Sequence, residues 1–166
     1  DIAHHLSMLC RFTGACKLFY SVAEHSVHVS HVVPPEHALS GLLHDATEAY
    51  INDLNRPLKK SLPDYNAIER LNWIVIATKF GLPLDMDESI HQADWAVLRA
   101  EAEVLMPATT KQWGFPHPAA AVKIHALSPK WAEEAFLDRF YQLVSTQHEL
   151  EVPDHPIIPR GDALFV

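Results

Sequence analysis

The sequence predicts an all-α, single-domain fold of about six helices. Three observations support this. Apolar residues recur at three- and four-residue spacing through most of the chain, and Gly and Pro fall between the periodic segments. No stretch alternates apolar and polar residues with the period of a strand, and no repeat or low-complexity tract appears. At 166 residues the chain is long enough to bury one sizeable core.

Residues 2–12 place Ile2, Leu6, Leu9 and Phe12 at helical spacing, with Gly14 as a stop. A second helix opens after Ser21, which with Glu24 three residues on forms a capping-box pattern. Pro34 and Pro35 end it, and Pro35 or Glu36 starts a third helix that runs to about Tyr50. Residues 51–63 read as a loop with at most a short helical turn. The fourth helix runs from Pro63 or Asp64 to Phe80, with Gly81 as its C-terminal cap. Ile68, Leu71, Ile74, Val75 and Thr78 form its apolar stripe, and Val75–Ile76 predicts burial nearly all round. The fifth helix runs from Asp87 to about Met106. Residues 107–128, with three prolines, are predicted to be a long irregular segment that lines or covers a site. The last helix runs from Pro129 to about His148, and a proline-punctuated tail at 151–166 follows a domain spanning 1–150.

Hydrophobic residues make up 48% and charged residues 20%, an ordinary globular balance. A formal net charge of -8 argues against nucleic acid or an anionic membrane surface as partner. No apolar run approaches the roughly 20 residues needed to cross a bilayer. Only Cys10 and Cys16 are present; their spacing fits neither a zinc knuckle nor a redox pair, so they read as packed or idle thiols. With no secretory signal visible, the expected location is the reducing cytoplasm. Of the 12 His residues, His28, His31, His37 and His148 read as surface or satisfied core residues.

The chemistry centres on residues 40–53, S-G-L-L-H-D-A-T-E-A-Y-I-N-D. A helix here sets His44 and Glu48 one turn apart, with Asp45 beside Glu48. Glu24-His25 on the second helix and Asp94 on the fifth are also awkward as packing residues. Asp94 shares its face with Ile90 and Leu98, where an unpaired carboxylate would cost several kcal/mol. Two carboxylates and two imidazoles from three helices make a mixed N/O set suited to Mn, Fe, Co, Zn or Ni rather than Ca. The competing reading is a buried, metal-free His–Asp hydrogen-bonded network.

The order His25, His44-Asp45, Asp94 resembles the H…HD…D pattern of the HD-domain metal-dependent phosphohydrolases. The finer resemblance is to the branch containing the bacterial 5'-deoxynucleotidases and phage-type dATP triphosphohydrolases. It rests on R-F-T-G at 11–14, Y-S-V-A-E-H-S at 20–26, H-D-A-T-E-A-Y-I-N-D at 44–53, R-P-L-K at 56–59, Y-N-A-I-E at 65–69 and Q-A-D at 92–94. The resemblance covers residues 1 to about 106 and implies an HD-type helical bundle. It implies that His25, His44, Asp45 and Asp94 hold one divalent transition metal (Co, Mn, Zn, Fe or Ni), with Mg as a further candidate alongside a triphosphate. Glu48 is then the acid-base residue and Asp53 the second candidate. Arg11 matches the family's phosphate-binding arginine, and Lys59 is a second cation; each also has a plain reading as a surface charge. Phe12, Phe19 and Tyr20 are candidates for contacting the nucleoside, with core packing the expected role of at least one of them, and Trp113 and Phe115 for stacking on a base.

The expected activity is release of phosphate from deoxynucleoside monophosphates. The alternative is release of triphosphate from a dNTP such as dATP. A non-enzymatic alternative is a metal-free helical binding protein that keeps only the scaffold. The expected partners are a small nucleotide substrate and, by the family resemblance, further copies of the same chain.

Overall fold

The computed structural model describes residues 1–107 and 113–151, with side chains described as far as residue 146. Every regular element among them is helical, apart from one isolated antiparallel bridge between Cys10 and Ser21. No helix among the described residues is long and apolar enough to cross a membrane. The tail at 152–166 lies outside the described residues.

Helix α1, Ile2–Met8, buries Ala3, Leu6 and Ser7. It stops four residues short of the predicted end, because Leu9 and Cys10 turn extended to pair with the strand-like approach to α2. Arg11 N–H donates to the Tyr20 carbonyl at 2.8 Å, and Val22 N–H to that of Leu9 at 3.1 Å. Between these arms lies a 3-10 turn, Arg11–Gly14, in which Phe12 and Thr13 take φ of 57° and 53°. That turn points Arg11 inward and leaves Thr13 and Gly14 at the surface.

Helix α2, Val22–Val32, is the central element. Ser21 caps it by accepting a hydrogen bond from Glu24 N–H, as the capping pattern predicts. Glu24 does not reach back to complete the box. Its carboxylate instead accepts from the N–H groups of His125, Ala126 and Leu127 at 2.8, 3.1 and 2.7 Å. This ties α2 to the segment that leads into the last helix. α2 packs against α1, α3, α7 and α8, so its residues are buried on nearly every side.

The predicted third helix is broken. A 3-10 turn at Pro35–His37 leads into α3, Ala38–Leu43; residues 44–47 form a turn, and α4, Glu48–Ile51, follows. Gly41 explains how closely α3 approaches α2: a Cβ there would lie 3.0 Å from Val33 Cγ2 and 3.4 Å from Ser30 Cα. Helix α5, Arg56–Lys59, is capped by Asn55, which accepts from Leu58 N–H at 3.1 Å.

Helix α6, Pro63–Phe80, ends at Gly81 in the left-handed region (φ 67°), as predicted. Its orientation differs from the predicted one. Trp73, Ile76 and Ala77 face the core, whereas Leu71 and Val75 are 64% and 69% exposed. α6 carries two apolar stripes on nearly opposite faces, and among the described residues only the one containing Trp73 joins the core. Helix α7, Glu88–Leu105, is capped by Asp87, and α8, Pro129–Glu151, closes the bundle against α1, α2 and α3. Leu6, Val22, Ala23, Leu42, Leu43, Ile76 and Phe136 form the main core, and Val29, Ile90, Ala93 and Val97 a second one between α2 and α7.

Candidate metal centre

His25 is completely buried in the middle of α2. His44 and Asp45 occupy the turn that breaks the third helix, and Asp94 projects from the buried side of α7. The close approach at Gly41 brings the two imidazole centroids within 5.2 Å. Ligand atoms of His25, His44 and Asp45 all lie within 4.8 Å of one another. Asp45 Oδ2 is 3.2 Å from His44 Nε2 and 3.6 Å from His25 Nε2. Asp94 Oδ1 is 3.2 Å from His25 Nε2. The four predicted ligands therefore converge, with Asp94 attached through His25.

The tautomers of both imidazoles follow from what lies behind them. His44 Nδ1 is 2.8 Å from the Gly41 carbonyl, which can only accept, so Nδ1 carries the proton. His25 Nδ1 is 2.7 Å from Glu101 Oε1, and the other Glu101 oxygen accepts from Arg11 Nε at 3.2 Å. Both Nε2 atoms are buried, and neither makes a hydrogen bond. In the neutral rings each Nε2 offers a lone pair to a space already lined by carboxylate oxygens. A divalent cation satisfies that arrangement, and in the metal-free protein a proton on His25, which Glu101 and Asp94 favour, competes for the same place. The donor set thus fits a metal ion: two imidazole nitrogens, the Asp45 carboxylate and the adjacent Asp94.

The electrostatics divide the carboxylates into two groups. Burial works against ionisation of Asp45, but His44, His25 and Arg11 outweigh it and hold its pKa far below the usual range. Asp94 behaves alike, held down to about 2 against burial by His25 and His44. Burial opposes ionised Glu101 too, and Arg11 and His25 overcome it. Glu48 lies at the other extreme. Burial, then repulsion from Asp45 and Asp53, pushes its pKa well up, and its Oε2 is buried without a hydrogen-bond partner. Burial likewise raises Asp53, with Arg11 opposing.

An open cleft of about 1430 Å³ runs past these groups. Its walls include Arg11, Phe12, His44, Asp45, Glu48, Asp53, Lys59 and Asp94. Lys59 is held by Glu69, with Nζ 2.5 Å from Oε1. Phe12 faces Trp113 at 6.3 Å between centroids, and Trp113 faces Phe115 at 5.9 Å, so Trp113 and Phe115 of the irregular segment line the cleft. Tyr20 must be corrected: it is 0% exposed and does not reach the cleft. The extended pairing of residues 20 and 11 turns its ring into the core, while Phe12, in the left-handed turn, takes the open position.

Two residues of the site escaped the sequence reading. Glu101 lies seven residues after Asp94 on the same face of α7, a spacing that would have marked it as a second buried carboxylate. Arg56 falls within the quoted R-P-L-K stretch. Its guanidinium bonds Asp94 Oδ2 at 2.6 Å and stacks over Trp95 at 3.9 Å, which leaves Asp94 Oδ1 to face His25.

Among known proteins, the chain is 41% identical over 147 residues to the uncharacterized protein YfdR of Escherichia coli, covering 86% of this chain and 82% of that one. The chain belongs to the YfdR family. An uncharacterized protein of Rhodobacter capsulatus is 32% identical over 117 residues, spanning 62% of this chain and 60% of the relative. No family model matches the chain.

Proposed function

We propose that this YfdR-family chain is an HD-type, divalent-metal-dependent phosphohydrolase that releases phosphate from deoxynucleoside monophosphates. One observation carries the reading: two buried imidazoles present unpartnered Nε2 atoms to Asp45 and Asp94, in the same cleft that the partnerless carboxyl of Glu48 lines. A divalent transition ion held by His25, His44, Asp45 and Asp94 would supply Lewis acidity toward a phosphoryl oxygen and an activated water. Mn, Co, Fe, Zn and Ni all suit the donor set.

The remaining roles belong to the protein's own groups. Arg11 keeps its charge because Glu101, Asp45 and Asp94 outweigh the cost of burial, so it can bind a phosphate oxygen at the cleft wall. Lys59 adds a second cation further along the same wall. Glu48 holds or releases a proton beside the scissile bond, the function for which a raised carboxyl is suited. Phe12 and Trp113 offer flat apolar surface to a base.

A second reading, release of triphosphate from a dNTP, draws support from the size of the cleft. Its roughly 1430 Å³ exceeds what a monophosphate fills. The deciding experiment is turnover of each dNMP and dNTP under Mn, Co and Mg, with orthophosphate resolved from triphosphate. Orthophosphate from the monophosphates is the expected product. Triphosphate as sole product moves the assignment to the second reading, and no product from metal-loaded protein removes the enzymatic one.

A further inference from the structure

We propose that Cys10 and Cys16 form a reversible intramolecular disulfide that closes the neck of the Arg11–Ala15 turn and resets the side chains it presents to the cleft. Their sequence spacing marks them as idle, yet the fold brings the two sulfurs within 3.6 Å. Both thiols are free and half-buried, so a small oxidant can reach them. A disulfide needs a separation near 2.05 Å, leaving about 1.5 Å to close, within the reach of side-chain rotation and a small backbone adjustment.

The turn between them makes the closure consequential. Phe12 and Thr13 occupy left-handed conformations at φ 57° and 53°, which non-glycine residues adopt only under constraint from their surroundings. Those constraints lie at the neck. Cys10 pairs with Ser21, Ala15 N–H donates to the Phe12 carbonyl at 3.0 Å, and Lys17 N–H to that of Leu105 at 2.9 Å. The Cys16 thiol donates to the Arg11 carbonyl at 3.8 Å. Oxidation removes that S–H at the residue whose guanidinium holds Glu101, while the new bond draws the two arms together. The turn becomes more rigid, and Arg11 and Phe12 are displaced from their reduced-state positions.

The oxidant is a peroxide. One thiolate attacks the O–O bond to give a sulfenic acid and, with the thiol proton, one water. The second thiol sulfur then attacks the sulfenic sulfur, forming S–S and expelling the second water. Two S–H bonds and one O–O bond are consumed, and the two sulfur atoms supply the two electrons.

Metal-loaded protein treated with hydrogen peroxide and then dithiothreitol tests this. The expected result is loss of both free thiols, a mass lower by two hydrogens, and a peptide linking Cys10 to Cys16, all reversed by the reductant. Amide hydrogen exchange over residues 11–16 should slow on the order of tenfold in the oxidised form. Separate sulfinic acids, intermolecular links or intact thiols would overturn the disulfide. Unchanged exchange would overturn its effect on the turn. Both readouts are independent of turnover, so they stand apart from the proposed phosphohydrolase reading. On that reading, the oxidised form should show a several-fold higher KM with kcat little changed. The C10S/C16S double variant should keep reduced-state kinetics and lose all response to peroxide. A KM equally peroxide-sensitive in that variant would exclude the cysteines as its cause.

Discussion

At the centre of the site, the hydrogen bonds behind the imidazoles fix what their front atoms can do. Gly41 and Glu101 hold the Nδ1 protons of His44 and His25, which commits both Nε2 atoms to the carboxylate-lined space. Glu101→Gln keeps an acceptor but removes the charge shared by His25 and Arg11, and should weaken Co or Mn binding by about 10- to 100-fold, read by calorimetry. Glu48→Gln should retain full metal stoichiometry while losing about 10² to 10⁴ in turnover; a variant that instead loses the metal would make Glu48 a ligand. The pH response of metal-free protein has a definite sign. Burial and Arg11 oppose protonation of His25, yet Glu101 and Asp94 outweigh them and raise it from 6.5 to about 9. Stability from this group is complete below the unfolded value of 6.5 and is lost as pH rises through about 9. Urea unfolding of chelator-treated protein should therefore show stability falling across that window. Metal affinity, for which the same proton competes, should rise across it.

At the scale of the helices, local signals placed the boundaries well and the faces less well. Ser21, Asp87 and Gly81 perform the capping and stopping roles their types and positions predict. The break at residues 44–47 was hidden because the third segment keeps helical periodicity on both sides of it. On α6, two apolar stripes compete, and the exposure of Val75 contrasts with the burial of Ile76 beside it. Ile76→Ala should cost about 2 to 5 kcal/mol, and Val75→Ala less than about 0.5 kcal/mol, by urea unfolding at low protein concentration. Equal costs would mean that the helix buries the opposite face.

Across the molecule, the site is assembled from segments far apart in the chain and clamped from outside. The Glu24 carboxylate holds the entry to α8 through three backbone N–H groups, with Ala126 in a left-handed conformation at φ 52°. Burial opposes the charge of Glu24, but His28 and those N–H groups hold its pKa below the ordinary value. Glu24→Ala leaves all three donors without their acceptor and should destabilise the fold by at least about 2 kcal/mol. The loss should appear first as faster hydrogen exchange near residues 125–127, before global unfolding. Protection there equal to wild type would show that the clamp is redundant. The same long-range assembly forms the aromatic wall, where Phe12 meets Trp113 across the cleft.

By itself the sequence determined the helical class, most helix boundaries and the four imidazole and carboxylate side chains that converge. Periodicity, capping and residue chemistry act over a few neighbours and are readable from them. Only the tertiary structure decided that Glu101 and Arg56 support that centre, that Tyr20 is core, that α6 turns Trp73 inward and that the two thiols meet. Each of those outcomes depends on which surface packs against which, and burial and pairing energies between distant segments leave no local spacing to read.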